Sequence, residues 1–277
     1  MRQAEQPGWN RRVPLAALGS ALLAWGTAAQ AAPGADHLML MFNAPAGDLA
    51  AYQNWYDHIH APAILAVPGF VDAQRAEAAP PGPLPDMAPP SPFLIRYRLR
   101  SADLAATFAA VPKPDPAHPA PIAPGGFALV FDALGTERRG AGALVLPHLG
   151  PPATFDLYVL ESPREGEESA FNQWYDQAQL ARMLATPGIV SARRYVRSPI
   201  QRDRTRPSPR YLAAYRIVSN RIDLVLAGLA RQGALQPSGE TVDAGASMRF
   251  LYRLCGPLIN HSGQLPAPAR ADSGRKE

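Results

Sequence analysis

The chain has 277 residues, enough for one large or two small domains, and 47% of them are hydrophobic, which supplies a sizeable core and excludes global disorder. A formal charge of +4 over that length is too mild and too dispersed for a dedicated nucleic-acid binder. One cysteine excludes an intramolecular disulfide, and 31 prolines, well above the usual share, point to long punctuated loops.

In chain order, residues 1–31 read as an export signal. Arg11-Arg12 precede a weakly apolar run from Val13 to Thr27, and Ala29-Gln30-Ala31 forms a small-x-small cleavage pattern. The run is too short and too rich in Ala and Gly for a membrane span, so no integral span is expected after its removal. The paired arginines allow twin-arginine export, although Pro14 makes the match imperfect. The expected compartment is periplasmic or extracellular.

Residues 36–135 form the first folded unit. His37 to Phe42 is an apolar strand. A helix is expected from about Gly47 to His60, with Leu49, Tyr52, Trp55, Tyr56 and Ile59 at helical spacing, ended by Pro62 and Pro68-Gly69. Strands follow over Phe70 to Glu77 and Phe93 to Leu99. Ser101 is the expected cap of a second helix reaching about Ala110, and Phe127 to Leu134 is the fourth strand. The proline-rich runs Ala79 to Pro92 and Pro112 to Pro124 read as long loops, either lids or rigid solvated excursions.

Residues 136–152 read as a linker, and 153–258 repeat the first unit. Ala170 to Arg194 aligns without a gap on Ala51 to Arg75, with 11 of 25 positions identical. Strands at Phe155 to Leu160, Ile189 to Val196, Tyr211 to Ile217 and Met248 to Leu254, with helices at Glu167 to Met183 and Asn220 to Ala230, restore the order. Residues 259–277 read as a disordered tail. The fold class is α+β: two tandem ferredoxin-like βαββαβ units whose antiparallel sheets pack face to face as an intramolecular barrel, with helices outside and a ligand pocket between the sheets. The duplicated unit supplies its own partner, so a monomer is sufficient.

The Trp55 to Pro62 run (WYDxxHxP), followed by LAVPGF and an aromatic-rich strand, resembles the EthD-type branch of the dimeric α+β-barrel superfamily. That resemblance implies the same barrel, and a histidine of this motif lying beside the pocket. Members include cofactor-free monooxygenases, isomerases, cyclases, dehydratases and haem enzymes, so fold analogy alone chooses no reaction.

His60 is the candidate catalytic residue, an acid/base group at the end of its helix. On a regular helix Tyr56 lies at about 40° and His60 at about 80° from Tyr52, with His58 at about 240°, so the two histidines do not share a side. The second unit carries Gln177 and Gln179 in place of His58 and His60, duplicating the scaffold without the ionisable chemistry. Arg75, Tyr97 and Tyr56 are candidate substrate-binding residues, Arg75 on the condition that its strand face lines the barrel. Asp57 is placed to orient His60, with a structural hydrogen bond as its alternative. Trp55 reads as core, and Cys255 as a buried small hydrophobe. Seven arginines between Arg193 and Arg210 read as an anion-attracting surface or a solvated loop. GxSxG, HExxH, CxxC and Walker patterns are absent, and no cofactor or metal is expected.

These features favour an exported, cofactor-independent acid/base enzyme of lyase, isomerase or oxygenase type acting on a small apolar or aromatic compound. The competing reading is a non-catalytic periplasmic binding protein for hydrophobic small molecules. A third is a haem-binding barrel with His60 as axial ligand.

Overall fold

A computed structural model describes residues 34–80, 87–113, 119–202, 208–235, 241–243, 245 and 247–261. The expected export segment and most of the tail lie outside these residues. Eight strands form one closed antiparallel barrel. The first repeat contributes β1 (Ala35–Asn43), β2 (Phe70–Ala78), β3 (Phe93–Ser101) and β4 (Phe127–Arg139), in the spatial order β4-β1-β3-β2. The second contributes β5 (Ala153–Glu161), β6 (Ile189–Arg197), β7 (Tyr211–Ser219) and β8 (Met248–Asn260), ordered β8-β5-β7-β6. The ferredoxin-like units are therefore both present. Their sheets join edge to edge at β2–β8 and β4–β6, which leaves neither repeat an open edge.

Period-two alternation divides each strand between two environments. Leu38, Leu40 and Phe42 point into the barrel lumen, where Tyr158, Phe250 and Tyr252 of the other repeat meet them. Phe42 lies edge-on to Phe250 at 5.5 Å. Met39, Ala73, Tyr97 and Val130 point the other way, under the first repeat's helices. The expected pocket between the sheets is corrected here: the lumen is filled by these aromatic rings.

Helices α1 (Leu49–Trp55) and α2 (Ala61–Leu65) are one rod joined by a π-helical turn, Tyr56–His60, and α3 (Leu104–Ala109) lies beside them. The second repeat has α4 (Glu168–Trp174), a π-helical turn Tyr175–Gln179, α5 (Leu180–Leu184) and α6 (Ile222–Arg231). Pro62 was expected to end the first helix; it sits instead in the opening turn of α2. Proline is tolerated in a helix's first turn. Ser101 is not the cap of α3. Its hydroxyl bonds Thr107 at 2.8 Å, and Asp103 caps the helix by accepting from the Ala106 N–H at 2.9 Å.

β4 and β8 both outrun their expected ends at Leu134 and Leu254, and Gly135 and Gly256 lie at the start of the extensions. They are bulges. Each adopts positive φ, +65° and +72°, which glycine alone does without strain, and the register shifts beside both. After the bulge β4 continues to Arg139 against β6, shortening the linker, and β8 continues to Asn260 against β2, where an unstructured tail was expected. Among the described residues no helix is long and apolar enough to cross a membrane.

Candidate functional site

Asp48 opens the first helix by accepting from the Ala50 N–H at 2.9 Å. Seven residues on, the ladder widens, and the Ala61 N–H reaches back five residues to the Tyr56 carbonyl. A π turn aligns residues five apart, so Trp55 and His60 share a side and their rings stack at 4.6 Å and 20°. Tyr56 lies 5.8 Å from the same imidazole. The regular-helix angles expected for this stretch do not apply through the widened turn. The second repeat has the same turn, with the Leu180 N–H on the Tyr175 carbonyl, so the bulge belongs to the scaffold. His58 is exposed on the outer side of the turn.

Below the helix, Tyr56 and Tyr97 are fully buried between α1 and the sheet. Burial pushes both phenols far above their ordinary range; the two hydroxyls act on each other, but no hydrogen bond of normal geometry closes between them. His60 is half-buried above them. Desolvation, reinforced by the charge of Arg202, pushes its imidazole down to about 4, so it is neutral at physiological pH.

The second repeat has the same scaffold with different polar contacts. The Tyr175 and Tyr215 hydroxyls bond each other at 3.2 Å. Gln179, where the first repeat has His60, is 4% exposed and donates its amide to the Ala234 carbonyl. In the first repeat the equivalent phenols face each other beneath an imidazole without closing a hydrogen bond of normal geometry.

Arg75 and Asp57 lie next to this group and are bonded to each other. The guanidinium takes both Asp57 oxygens, at 2.9 and 3.3 Å, and donates to Cys255 Sγ at 3.4 Å. The condition placed on Arg75 is not met: its strand face lies under the helices, not in the lumen. The second repeat repeats the clamp, with Arg194 on Asp176 at 2.7 Å and on Asn172 at 2.6 Å, and its guanidinium 4.5 Å from the Tyr175 ring centre. The pair thus ties the π turn to the second strand of each repeat, and Asp57 is directed at Arg75. Cys255 is half-buried, its thiol pushed up to about 11 by burial. Trp55 is only partly buried, at the edge of the core.

Two features escaped sequence reasoning. The lumen holds a charged knot: Asp156 accepts from Arg96 at 3.1 Å, Tyr158 at 3.1 Å and Arg216 at 3.0 Å. Its signal is a charge alternating with apolar residues in FLIRYRL and FDLYVL. In addition, a cleft of about 510 Å³ opens beside the second repeat, lined in part by Leu134, Arg138, Asn172, Leu180 and Arg194. Its β4 wall comes from the strand extension beyond Gly135. Among the described residues no three His, Cys, Asp or Glu side chains group as a metal site.

No protein-family model and no curated protein matches the chain. Solved structures do match. A monooxygenase candidate from Fusobacterium nucleatum superposes with a TM-score of 0.50 at 9% identity, over 85% of this chain and 99% of the other. An anthrone oxidase-like protein gives 0.50 at 12% identity, over 85% and 97%. The fold is a dimeric α+β barrel, closed here within one chain.

Within this barrel the duplication acts as an internal control on chemistry. The Asp–Arg clamp recurs in both halves, whereas the Trp55–His60 stack and the looser Tyr56–Tyr97 pair distinguish the first. A neutral imidazole can accept a proton, and two phenols can donate hydrogen bonds to an oxygen that gains charge.

Proposed function

We propose that the protein is an exported, cofactor-independent acid/base enzyme of the EthD type, and that the helix–sheet cleft of the first repeat is its active site. The carrying observation is the contrast between the halves: a closed Tyr175–Tyr215 hydrogen bond beside a buried glutamine in the second, a looser phenol pair beneath a neutral histidine in the first. The substrate is a small, largely apolar or aromatic compound with an acidic C–H or O–H. His60 takes that proton, becoming imidazolium, while Tyr56 and Tyr97 donate to the oxygen on which the charge settles. Elimination, reprotonation elsewhere or reaction with oxygen then separates the lyase, isomerase and oxygenase outcomes. The named structural neighbours, a monooxygenase candidate and an anthrone oxidase-like protein, accord with an enzyme acting on a small molecule.

Export is supported by Arg11-Arg12, the apolar run and the Ala29-Gln30-Ala31 pattern. A monomer is supported by the paired seams, which use the edges that a second copy would otherwise occupy. Replacing His60 by Gln copies the second repeat. Turnover of a phenolic or enolisable substrate is expected to fall at least about a hundredfold, as for loss of a general base. An H60Q protein that is folded and turns over at the wild-type rate would sink the enzyme assignment, and ligand retention without turnover in the wild type would favour a carrier.

A further inference from the structure

The arginines between Arg193 and Arg210 are not alike. Arg193 bonds Asp36 at 2.9 Å, Arg194 bonds Asp176, and Arg210 pairs with Glu168 at 2.8 Å. Arg204 and Arg206 lie outside the described residues. Arg202 is exposed, and among the described residues no carboxylate pairs with it.

The chain that carries Arg202 is nevertheless anchored. β6 parts from β4 after Arg197 pairs with Phe131, and the next residues run on beside β4. The Ser198 N–H donates to the Val130 carbonyl at 3.0 Å. Gln201 takes the place of a strand partner: its amide donates to the Val130 carbonyl at 2.7 Å and accepts from the Val130 N–H at 3.0 Å. A further bond to the Ser198 carbonyl, 2.7 Å, closes the turn. Val130 faces the helices in one row with Met39, Tyr97 and Ala73, since β4, β1, β3 and β2 pair in that register. A residue of the second repeat is therefore held beside the helix-facing row of the first repeat's sheet, and its charge acts on both His60 and Tyr97.

The reciprocal loop does the opposite. Between β2 and β3 the chain crosses to the second repeat, the Ala79 N–H bonding the Leu251 carbonyl, and Met87 is buried in the second helix–sheet core. The second repeat's helix–sheet core thus receives a thioether from the first, whereas the first repeat's is faced by a cation from the second.

We propose that Arg202 is a specificity residue of the first cleft, supplied across the repeat boundary, and that this cleft takes its ligand as an aromatic anion, a carboxylate or phenolate. A guanidinium suits either oxygen anion, and the stacked Trp55–His60 surface suits the ring. Nearby charges do not oppose an anion: Asp57 is spent on Arg75, and the imidazole is neutral. This proposal rests on the reading of the first cleft as the ligand site, not on any reaction there.

Calorimetric titration of the full chain with 2-naphthoate and with its neutral isostere 2-naphthamide tests it. The wild type is expected to bind the acid roughly tenfold more tightly, the scale of one charge-assisted hydrogen bond. R202Q is expected to bind both equally, with amide affinity and thermal midpoint unchanged, and R202K to keep part of the preference. H60Q is expected to retain the preference while losing turnover, so failure of the base assignment and failure of the anion assignment give different results. Equal affinities in the wild type, no binding of either compound, or an R202Q that still prefers the acid would overturn the proposal. So would loss of the preference in R138Q, which would move the anion to the cleft of the second repeat.

Discussion

Tyr56 and Tyr97 show what an open site costs. A buried hydroxyl that closes no hydrogen bond forfeits up to about 1–3 kcal/mol; the contact between Tyr56 and Tyr97 recovers part of that, and the Tyr175–Tyr215 bond recovers more. His60 adds a pH-dependent cost. Its folded value of about 4 lies below the ordinary 6.5, so between those pH values the unfolded chain binds a proton that the native protein does not. Stability therefore rises with pH across that window, is free of the penalty above 6.5, and loses about 2 kcal/mol as pH falls to about 4.5, allowing for partial exposure. H60Q removes the titrating group. Urea melts at pH 7 and 4.5 are expected to show the wild type losing about 2 kcal/mol more than H60Q over that interval. Equal losses would mean that the imidazole is as well solvated in the native protein as in the unfolded chain.

At the scale of elements, the repeated helix is clamped to its sheet by one Asp–Arg pair per half, and the two clamps differ in burial. The Asp57 and Arg75 side chains are 13% and 5% exposed, whereas Asp176 is 59% exposed with Asn172 sharing Arg194. D57N is expected to cost about 3 kcal/mol, because it strands a buried guanidinium, and D176N about 1 kcal/mol or less. Paired denaturant titrations check this; equal costs would show that the clamps do not depend on burial. Much of this level was legible in the sequence. The ungapped block carried the strand and helix order. The π turn was not legible, because five-residue alignment of Trp55 and His60 has no signature in a pattern read at 3.6 residues per turn. Nor was the face of Arg75: alternation groups residues into two faces without saying which lies beneath helices. The extensions of β4 and β8 were not legible either, because a bulge and a strand end recruit the same residue, glycine.

Across the whole molecule, the charged knot in the lumen links the halves and breaks their symmetry. In register, Leu40 faces Arg96 in the first repeat where Tyr158 faces Ala214 in the second, and Leu38 faces Arg98 where Asp156 faces Arg216. Arg96 and Asp156 thus replace an alanine and a leucine of the opposite half. Their side chains are 7% and 5% exposed, and each repeat contributes one partner of the 3.1 Å contact. A pair this buried ties the two repeats together in one register without adding much net stability, because desolvation offsets most of the attraction. Removing one member is a different matter. D156L would leave Arg96 without its carboxylate in an apolar lumen, at an expected cost of about 3–5 kcal/mol. R96L/D156L is expected to recover most of that loss, since Leu suits the surrounding Phe and Tyr rings and Arg216, one-third exposed, can turn outward. Urea melts of the wild type, the single variant and the double variant separate a clamp from a mere neighbourhood. A double variant no more stable than D156L would show that the knot is not a coupled pair, and the lumen would then have to be held by its aromatic packing alone.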